Sequence, residues 1–277
     1  GVGASVVNAL SEWMEVDNCY NGKRYTMRFE KGKTVSDLKI IADTEETGTY
    51  VKFKPDASIF TDTTEYDFDT LQKRLREQAF LNAGLRITLT DRRDEENVRE
   101  ESYCYEGGIS SFVEYLNKTR GYSVLHNDVI HISISDDDSF AEVAFQYNDS
   151  YNEVIHAYAN NINTEEGGTH LSGFKKALTR TINNHARKKS LLKDNDEALS
   201  GDDVREGLTA VLSLKIPNPQ FESQTKIKLG NSEVMPLVDS LVGDALAEFF
   251  EENPNVAKRI VDKGIMAARA RAAARKA

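Results

Sequence analysis

Cysteine and proline are scarce in this 277-residue chain, with two of the first and five of the second. Cys19 and Cys104 lie far apart and without metal-ligand spacing, which excludes a disulfide-stapled scaffold and a cysteine zinc site and fits reduced thiols. The five histidines (126, 131, 156, 170 and 185) form no i, i+4 pair and have no cysteine partner, so a zinc site is not expected. No G-x-S-x-G turn and no Ser-His-Asp arrangement is apparent, which removes the common serine hydrolases. No apolar run approaches the length of a membrane span, and no basic stretch precedes the apolar residues at the start, as a signal peptide would require. Basic residues are in deficit, 35 against 45 acidic, and the net charge of −10 argues against a domain built to coat DNA. What remains is ordinary globular composition, 39% hydrophobic and 29% charged, in a chain long enough for one large domain or two, each with its own core.

The chain opens on GVGASVVNALS, two glycines followed at once by apolar residues at helical spacing, and a helix is expected over about 3–12. A helix start offers unpaired N–H groups and the positive end of the dipole, the build of a phosphate-binding corner, although a lone G-x-G serves equally as turn punctuation. Asn21-Gly22 is a type I′ hairpin signal ahead of RYTMRFE, which alternates Tyr25, Met27 and Phe29 with charged or polar residues. Residues 49–54 alternate likewise and stop at Pro55. YDFDTLQKRLREQAFLNAG reads as a helix that Gly84 ends, with Asp67 or Asp69 as its cap and Phe68, Leu71, Leu75 and Ala79 on one face. After a strand over 85–91, the charge run DRRDEENVREES (91–102) reads as a solvated loop at a domain junction. Beyond it the expected order is a helix over 106–118, strands over 128–135, 140–148 and 151–159, a helix over 167–189 and a strand over 207–217. Two helices, about 232–252 and 254–275, are divided by Asn253 as an N-cap and Pro254 at N1. Two α/β units joined near residue 102 result.

One stretch carries residues suited to a terminal phosphate. QFESQTKIKLGNSEV (220–234) follows a proline-broken strand, so an extended backbone is expected there, and side chains at i and i+2 would then aim Gln224 and Lys226 at a common target. Lysine supplies a point charge and glutamine an amide donor. A polar surface loop is the plainer reading of the same residues. Thr169-His170, after the Gly167-Gly168 pair, reads as a structural strand-to-helix corner with His170 packing or capping, since Glu165 and Glu166 discourage an anion. In GDDVREGL, Asp202 or Asp203 is expected to cap a short helix, with Arg205 pairing locally, rather than to bind Mg²⁺. The seven basic residues of 256–277 read as a solvated helix face or as a contact for nucleic acid in a larger assembly.

Several stretches taken together resemble the ATPase region of DNA gyrase B and its topoisomerase IV relatives. They are GVGASVVNALS, TGTYVKFKPD, LREQAFLNAGLRITLTDRR, YEGGISSFVEYLN, NNINTEEGGTHLSGFKKALTRTIN, GDDVREGLTAVLSLKIPNPQFESQTKIKLGNSEV and the final ARARAAARKA, in order along essentially the whole chain. The resemblance implies an α/β plus α+β fold. Residues 1–102 would be the C-terminal part of a GHKL (Bergerat) ATP-binding sandwich, and 103–277 a transducer domain like the second domain of a small-subunit ribosomal protein. It implies that Gln224 and Lys226 of the QTK loop reach the γ-phosphate and that Gly1, Val2, Gly3, Ala4 and Ser5 hold the phosphates. Gly48 and Thr49 would lie near the adenine, the threonine hydroxyl holding an ordered water, and Val51 would line the pocket. It further implies ATP with Mg²⁺ as cofactor, DNA and a DNA-cleaving A-type subunit as partners, and a homodimer formed on ATP binding. The expected location is cytoplasmic and nucleoid-associated, or organellar. The family's catalytic glutamate, Mg²⁺-holding asparagine and adenine-binding aspartate belong upstream of Gly1. Tyr20 falls where the family usually has an arginine that contacts aminocoumarin inhibitors. Gyrase and topoisomerase IV are not separated by these motifs. The rival readings are an RNA- or protein-binding module and a mismatch-repair or chaperone ATPase, and the two ATPases do not match QTK followed by IKLGNSEV.

Overall fold

A computed structural model describes residues 1–277. Two compact units make up the chain, Gly1–Phe68 and Asp69–Ala277. The first opens with helix α1 (Gly3–Ala9), shorter than expected because Ser11 already starts strand β1 (Ser11–Tyr20). Asn21 and Gly22, at φ 52° and 81°, turn the chain into β2 (Lys23–Glu30) with Tyr20 opposite Lys23, as the Asn-Gly pair predicts. β3 (Lys33–Thr34) and β4 (Lys39–Asp43), which no periodicity announced, pair in succession along the free edge of β2. β5 (Gly48–Pro55) pairs antiparallel with the other edge of β1 and places Thr49 opposite Asn18 and Val51 opposite Val16. The sheet order is β3-β2-β1-β5, with β4 also on β2. Met14 of the central strand is buried, whereas Tyr50, Val51 and Phe53 of β5 and Ile40 and Ile41 of β4 stay exposed.

The second unit begins with α2 (Phe68–Leu81) and the hairpin β6 (Ile87–Asp91) and β7 (Arg99–Tyr103). The charge run is therefore not a loop throughout: Arg99–Tyr103 pairs with β6, and polar side chains suit a ladder open to solvent, as when Thr90 Oγ1 donates to Glu100 at 2.7 Å. Helix α3 (Gly108–Thr119) leads to β8 (Ile130–Ser135), β9 (Phe140–Tyr147), β10 (Val154–Ala159) and β11 (Ile162–Asn163). Helices α4 (Thr169–Lys188) and α5 (Gly201–Arg205) then connect to β12 (Leu208–Lys215), and α6 (Val234–Glu252) and α7 (Pro254–Lys276) close the chain. The sheet order is β11-β10-β12-β9-β8, antiparallel except for β10 beside β12. A parallel pair needs a crossover, and α4 supplies it.

Period-two burial divides this sheet between two cores. Val143 and Phe145 of β9 and Ala210, Leu212 and Leu214 of β12 pack with Phe174, Leu178 and Ile182 of α4 and with α6 and α7. Ala144, Tyr158 and Val211 point the other way, onto Phe112, Val113 and Leu116 of α3 and Phe80 of α2. The two-sided burial accounts for the nearly unbroken apolar reading of residues 208–214. Where the α3 face turns polar, the groups satisfy one another: Asn117 Nδ2 donates to Gln146 Oε1 (2.9 Å), and Thr209 Oγ1 donates to Asn117 Oδ1 (2.6 Å).

One capping expectation resolves as to position and another differently. Asn253 stands at the N-cap of α7 with Pro254 next, as expected, but its side chain makes no cap bond, and its Nδ2 donates back to Phe249 O of α6 at 3.0 Å. The cap of α5 is Ser200, in a capping box with Asp203. Arg271 of α7 also donates to both oxygens of Asp203, at 3.1 and 2.6 Å, so this carboxylate ties α5 to α7 rather than serving a metal. Burial opposes its charge, yet Arg271 and the Ser200 amide and hydroxyl prevail and hold its pKa below the ordinary aspartate value. A carboxylate with a depressed folded pKa contributes stability above its unfolded pKa, about 3.9, and loses it as pH falls through the folded value. Asp203→Asn should thus cost about 2 kcal/mol in urea unfolding at pH 7. The gap from the parent should shrink below about pH 4, whereas a gap independent of pH would assign the loss to packing.

Candidate functional site

Within the first unit, the residues expected to hold a nucleotide lie on two elements. Val2 stands at the N-cap of α1 with no side-chain cap bond, and residues 1–5 are exposed, so the first amides of the helix are open. On β5, Thr49 and Val51 point to the same side of the strand. Asn18 Nδ2 donates to Thr49 Oγ1 at 2.8 Å, so the threonine hydroxyl keeps its own proton for a further acceptor such as a water. Gly48 lies opposite Cys19, one residue before Tyr20, which is 67% exposed.

In the second unit, Gln224 and Lys226 sit at the tip of a hairpin-like excursion, not on an extended segment. Ser223–Lys226 is a tight turn closed by the Lys226 amide donating to Ser223 O at 3.1 Å, and Lys226 takes the left-handed φ of 58°. The Thr225 hydroxyl lies 2.6 Å from Ser223 Oγ, which fixes the turn from inside. The i, i+2 reading failed because local hydroxyl bonds offered the backbone a turn in place of a strand. The two lysines of the loop differ in kind. Lys228 pairs with Glu222 at 3.1 Å across the base, whereas Lys226 and Gln224 are exposed and engage no partner. Lys226 is therefore a free cation carried on a defined turn.

The base of this excursion is tied to the N-terminus of α4. Phe221 bridges Leu229, and Leu229 in turn bridges Gly168. The Leu229 amide donates to Gly167 O (3.0 Å), Thr169 N–H donates to Leu229 O (3.1 Å), and Glu166 N–H donates to Ile227 O (2.9 Å). At Gly168, φ is 138°, and a Cβ would fall 2.4 Å from Leu229 O and 2.6 Å from Leu229 N. Only glycine permits so close a backbone contact. The Gly167-Gly168 corner is structural, as expected, and it has a second task that sequence reading missed, the anchoring of the loop that bears Lys226. The signal was present as the glycine pair, but nothing in one sequence ties it to residues sixty positions later.

His170 completes the corner. This residue is fully buried, and its Nε2 lies 3.1 Å from Thr164 Oγ1, which itself donates to Ala157 O at 2.7 Å. The threonine proton is thus used, so the imidazole carries its proton on Nε2. Burial pushes its pKa down to about 4, and the ring is neutral and packed, as expected for a corner residue. No group of three or more His, Cys, Asp or Glu side chains is gathered so as to hold a metal ion.

This architecture is that of the ATP-binding regions of type II topoisomerases. The 43K ATPase domain of Thermus thermophilus gyrase B, solved with an aminocoumarin, superposes with a TM-score of 0.86 at 41% identity, covering all of this chain and 74% of that one. The topoisomerase IV ATP-binding domain of Francisella tularensis, solved with a small-molecule inhibitor, gives 0.82 at 31% identity, covering 98% and 73%. Residues 108–277 match the family model described as DNA gyrase B. Over all 277 residues the chain is 55% identical to the DNA gyrase B of Halalkalibacterium halodurans and 52% identical to that of Bacillus mycoides. The chain belongs to the DNA gyrase B family. It spans 43% of the length of the first relative and 68% of the second.

The Gly168 contact can be tested directly. Gly168→Ala should cost about 1–3 kcal/mol and lower amide exchange protection at Leu229 and Thr169 at least about tenfold. Gly230→Ala, whose Cβ meets nothing nearer than 3.4 Å, should leave that protection unchanged.

Proposed function

We propose that this chain forms part of the ATP-operated gate of a type II DNA topoisomerase, coupling ATP binding and hydrolysis to dimerisation and strand passage. The observation that carries this reading is the free Lys226, held on a turn whose base is locked into α4, in a chain of the gyrase B family. Residues 1–102 would serve as the C-terminal part of the nucleotide-binding domain and 103–277 as the transducer. The family match beginning at residue 108 supports that division, although α2 and the β6–β7 hairpin pack with the second unit.

In this reading Gly1, Val2, Gly3, Ala4 and Ser5 present open amides to the phosphates of ATP. Gly48, Thr49 and Val51 border the base, with the Thr49 hydroxyl proton available to an ordered water. Lys226 places its ammonium on the terminal phosphoryl group, and Gln224 adds an amide donor. Both would stabilise charge that builds on that group during transfer, which is how fixed donors lower such barriers. Mg²⁺ would accompany ATP. The exposed apolar residues of β4 and β5 suit a sheet that further sandwich elements of the longer relatives would cover. An A-type subunit, DNA and a second copy of the chain are the partners this function requires. The acidic surface suits it, provided that DNA is gripped mainly elsewhere in the enzyme. A cytoplasmic, nucleoid-associated place follows from the same reading, and no helix is long and apolar enough to cross a membrane.

Lys226→Ala in the full-length protein should lower ATP turnover by about 100-fold or more, the scale set by removing one charge-stabilising donor. The circular dichroism spectrum and the unfolding midpoint should be unchanged, because Lys226 is exposed and unpaired. Undiminished turnover would overturn the assignment.

A further inference from the structure

Helices α2 and α3 face one another over a cavity of about 360 Å³ that reaches His156 on β10. It lies wholly within the second unit and shares no residue with the loop that carries Gln224 and Lys226. The volume stands at the lower end of the range of about 300–1,000 Å³ seen for small-molecule sites. Its apolar wall is Phe80, Phe112, Tyr115 and Leu116, with the first two rings stacked 4.6 Å apart. The rest of the lining is polar or charged, with three cationic side chains, Lys73, Arg76 and Arg120, against two carboxylates, Asp69 and Glu77.

Arg76 is committed, donating to Tyr115 Oη at 2.6 Å with its guanidinium over the Tyr103 and Tyr115 rings. Asp69 faces solvent and pairs with Arg99 at 3.5 Å. Glu77 lies 3.9 Å from Arg74 and also feels the charge of Lys73 on the same helix, although burial is the larger effect and pushes its pKa up. Lys73 on α2 and Arg120 just beyond α3 are different, because neither has a carboxylate within ion-pair distance or a side-chain hydrogen bond. His156 also has no hydrogen-bond partner, and its ring lies 5.6 Å from that of Phe112. Burial first, and then the charges of Arg120 and Lys73, lower the His156 pKa. Two unpaired cations therefore act on one neutral imidazole at the end of a cavity with an aromatic wall.

We propose that this cavity binds a phosphate monoester with a flat apolar body, the phosphate held by Lys73, Arg120 and His156 and the ring laid against Phe112 and Tyr115. Three donors from three elements suit a tetrahedral oxyanion better than a two-oxygen carboxylate. Arginine and lysine supply a fork and a point charge to a dianion. The bound anion also offsets the repulsion from Arg120 and Lys73, the smaller of the two effects that lower the His156 pKa, and so favours protonation of the imidazole as a third cationic donor.

The test uses the 277-residue chain with phenyl phosphate and inorganic phosphate as probes, followed by calorimetry and by NMR of the His156 ring. Phenyl phosphate should bind saturably and more tightly than inorganic phosphate, and the His156 titration midpoint should rise on binding. The double variant Lys73→Ala, Arg120→Ala should bind at least about tenfold more weakly, since it loses both charge-assisted contacts to the phosphate. Both positions are exposed, so the fold should survive. Lys226→Ala should bind as the parent does, which separates this cavity from the proposed nucleotide site. An absence of saturation at millimolar phenyl phosphate, or equal affinity in the double variant, would overturn the proposal. Equal affinity for the two probes would overturn the role given to the aromatic wall.

Discussion

The burial of β12 on both faces is the constraint from which the second unit is built. A strand with Val211 on one side and Ala210, Leu212 and Leu214 on the other cannot sit at a surface, so it requires helices above and below. Its parallel partner β10 forces the intervening chain to cross over, and α4 is that crossover. Once the apolar stripe of α4 is seated through Phe174, Leu178 and Ile182, the position of its N-terminus is no longer free. Gly168, one residue before the helix, comes to rest against Leu229. The place of the Lys226 turn is thus a consequence of core packing, transmitted through the backbone contact at Gly168 and the burial of Leu229 in the same core.

That route has a chemical advantage. A lysine held by an ion pair would have to surrender the pair before meeting a phosphate, and much of the interaction would be lost in the exchange. Here the ordering falls on the backbone, through the Ser223–Lys226 turn and the Leu229 bridge, and the ammonium stays unpaired. Lys228, two residues on, shows the alternative, its charge engaged by Glu222 at the loop base. Nor does the α4 corner compete for the anion. His170 beneath it is neutral, and Glu165 and Glu166 precede it, so positive charge in this neighbourhood is concentrated on the turn.

Elements with strong periodicity were legible from sequence: the Asn21-Gly22 hairpin, α2, α3, α4, the three strands 130–159 and the helix pair split at Pro254. In each, local pattern and tertiary burial agree, which is the condition under which single-sequence reading works. The failures share a cause, a local signal outvoted by a partner far along the chain or by a nearer acceptor. Arg99–Tyr103 carries no apolar alternation because its ladder is solvated, so only β6 makes it a strand. Asn253 keeps its expected N-cap position, but its side-chain amide donates to Phe249 O and makes no cap bond. The candidate site divides in the same way. Residue types named Gln224 and Lys226, but the turn that presents them and the glycine that anchors it depend on a contact between positions 168 and 229.

The basic end of the chain shows how much such contacts change a reading based on charge. Lysines and arginines clustered over 256–277 invite a nucleic-acid interpretation, especially on an acidic body. In the fold Arg259 donates to Leu125 O, Lys263 to Ser150 O, Arg271 to Asp203, and Lys258 pairs with Asp262. Four of the seven cations are therefore engaged in holding α7 to the connections before β8 and after β9 and to α5, or in bracing α7 itself. Engaged cations release few counterions on meeting a polyanion, and that release is the main source of non-specific affinity for DNA. The acidic net charge and these engaged cations lead to one conclusion: the surface is arranged for internal order, and the free positive charge sits at small, defined places, the Lys226 turn among them. In the proposed gate, worked by a small phosphate ligand, that restraint would matter more than a grip on DNA.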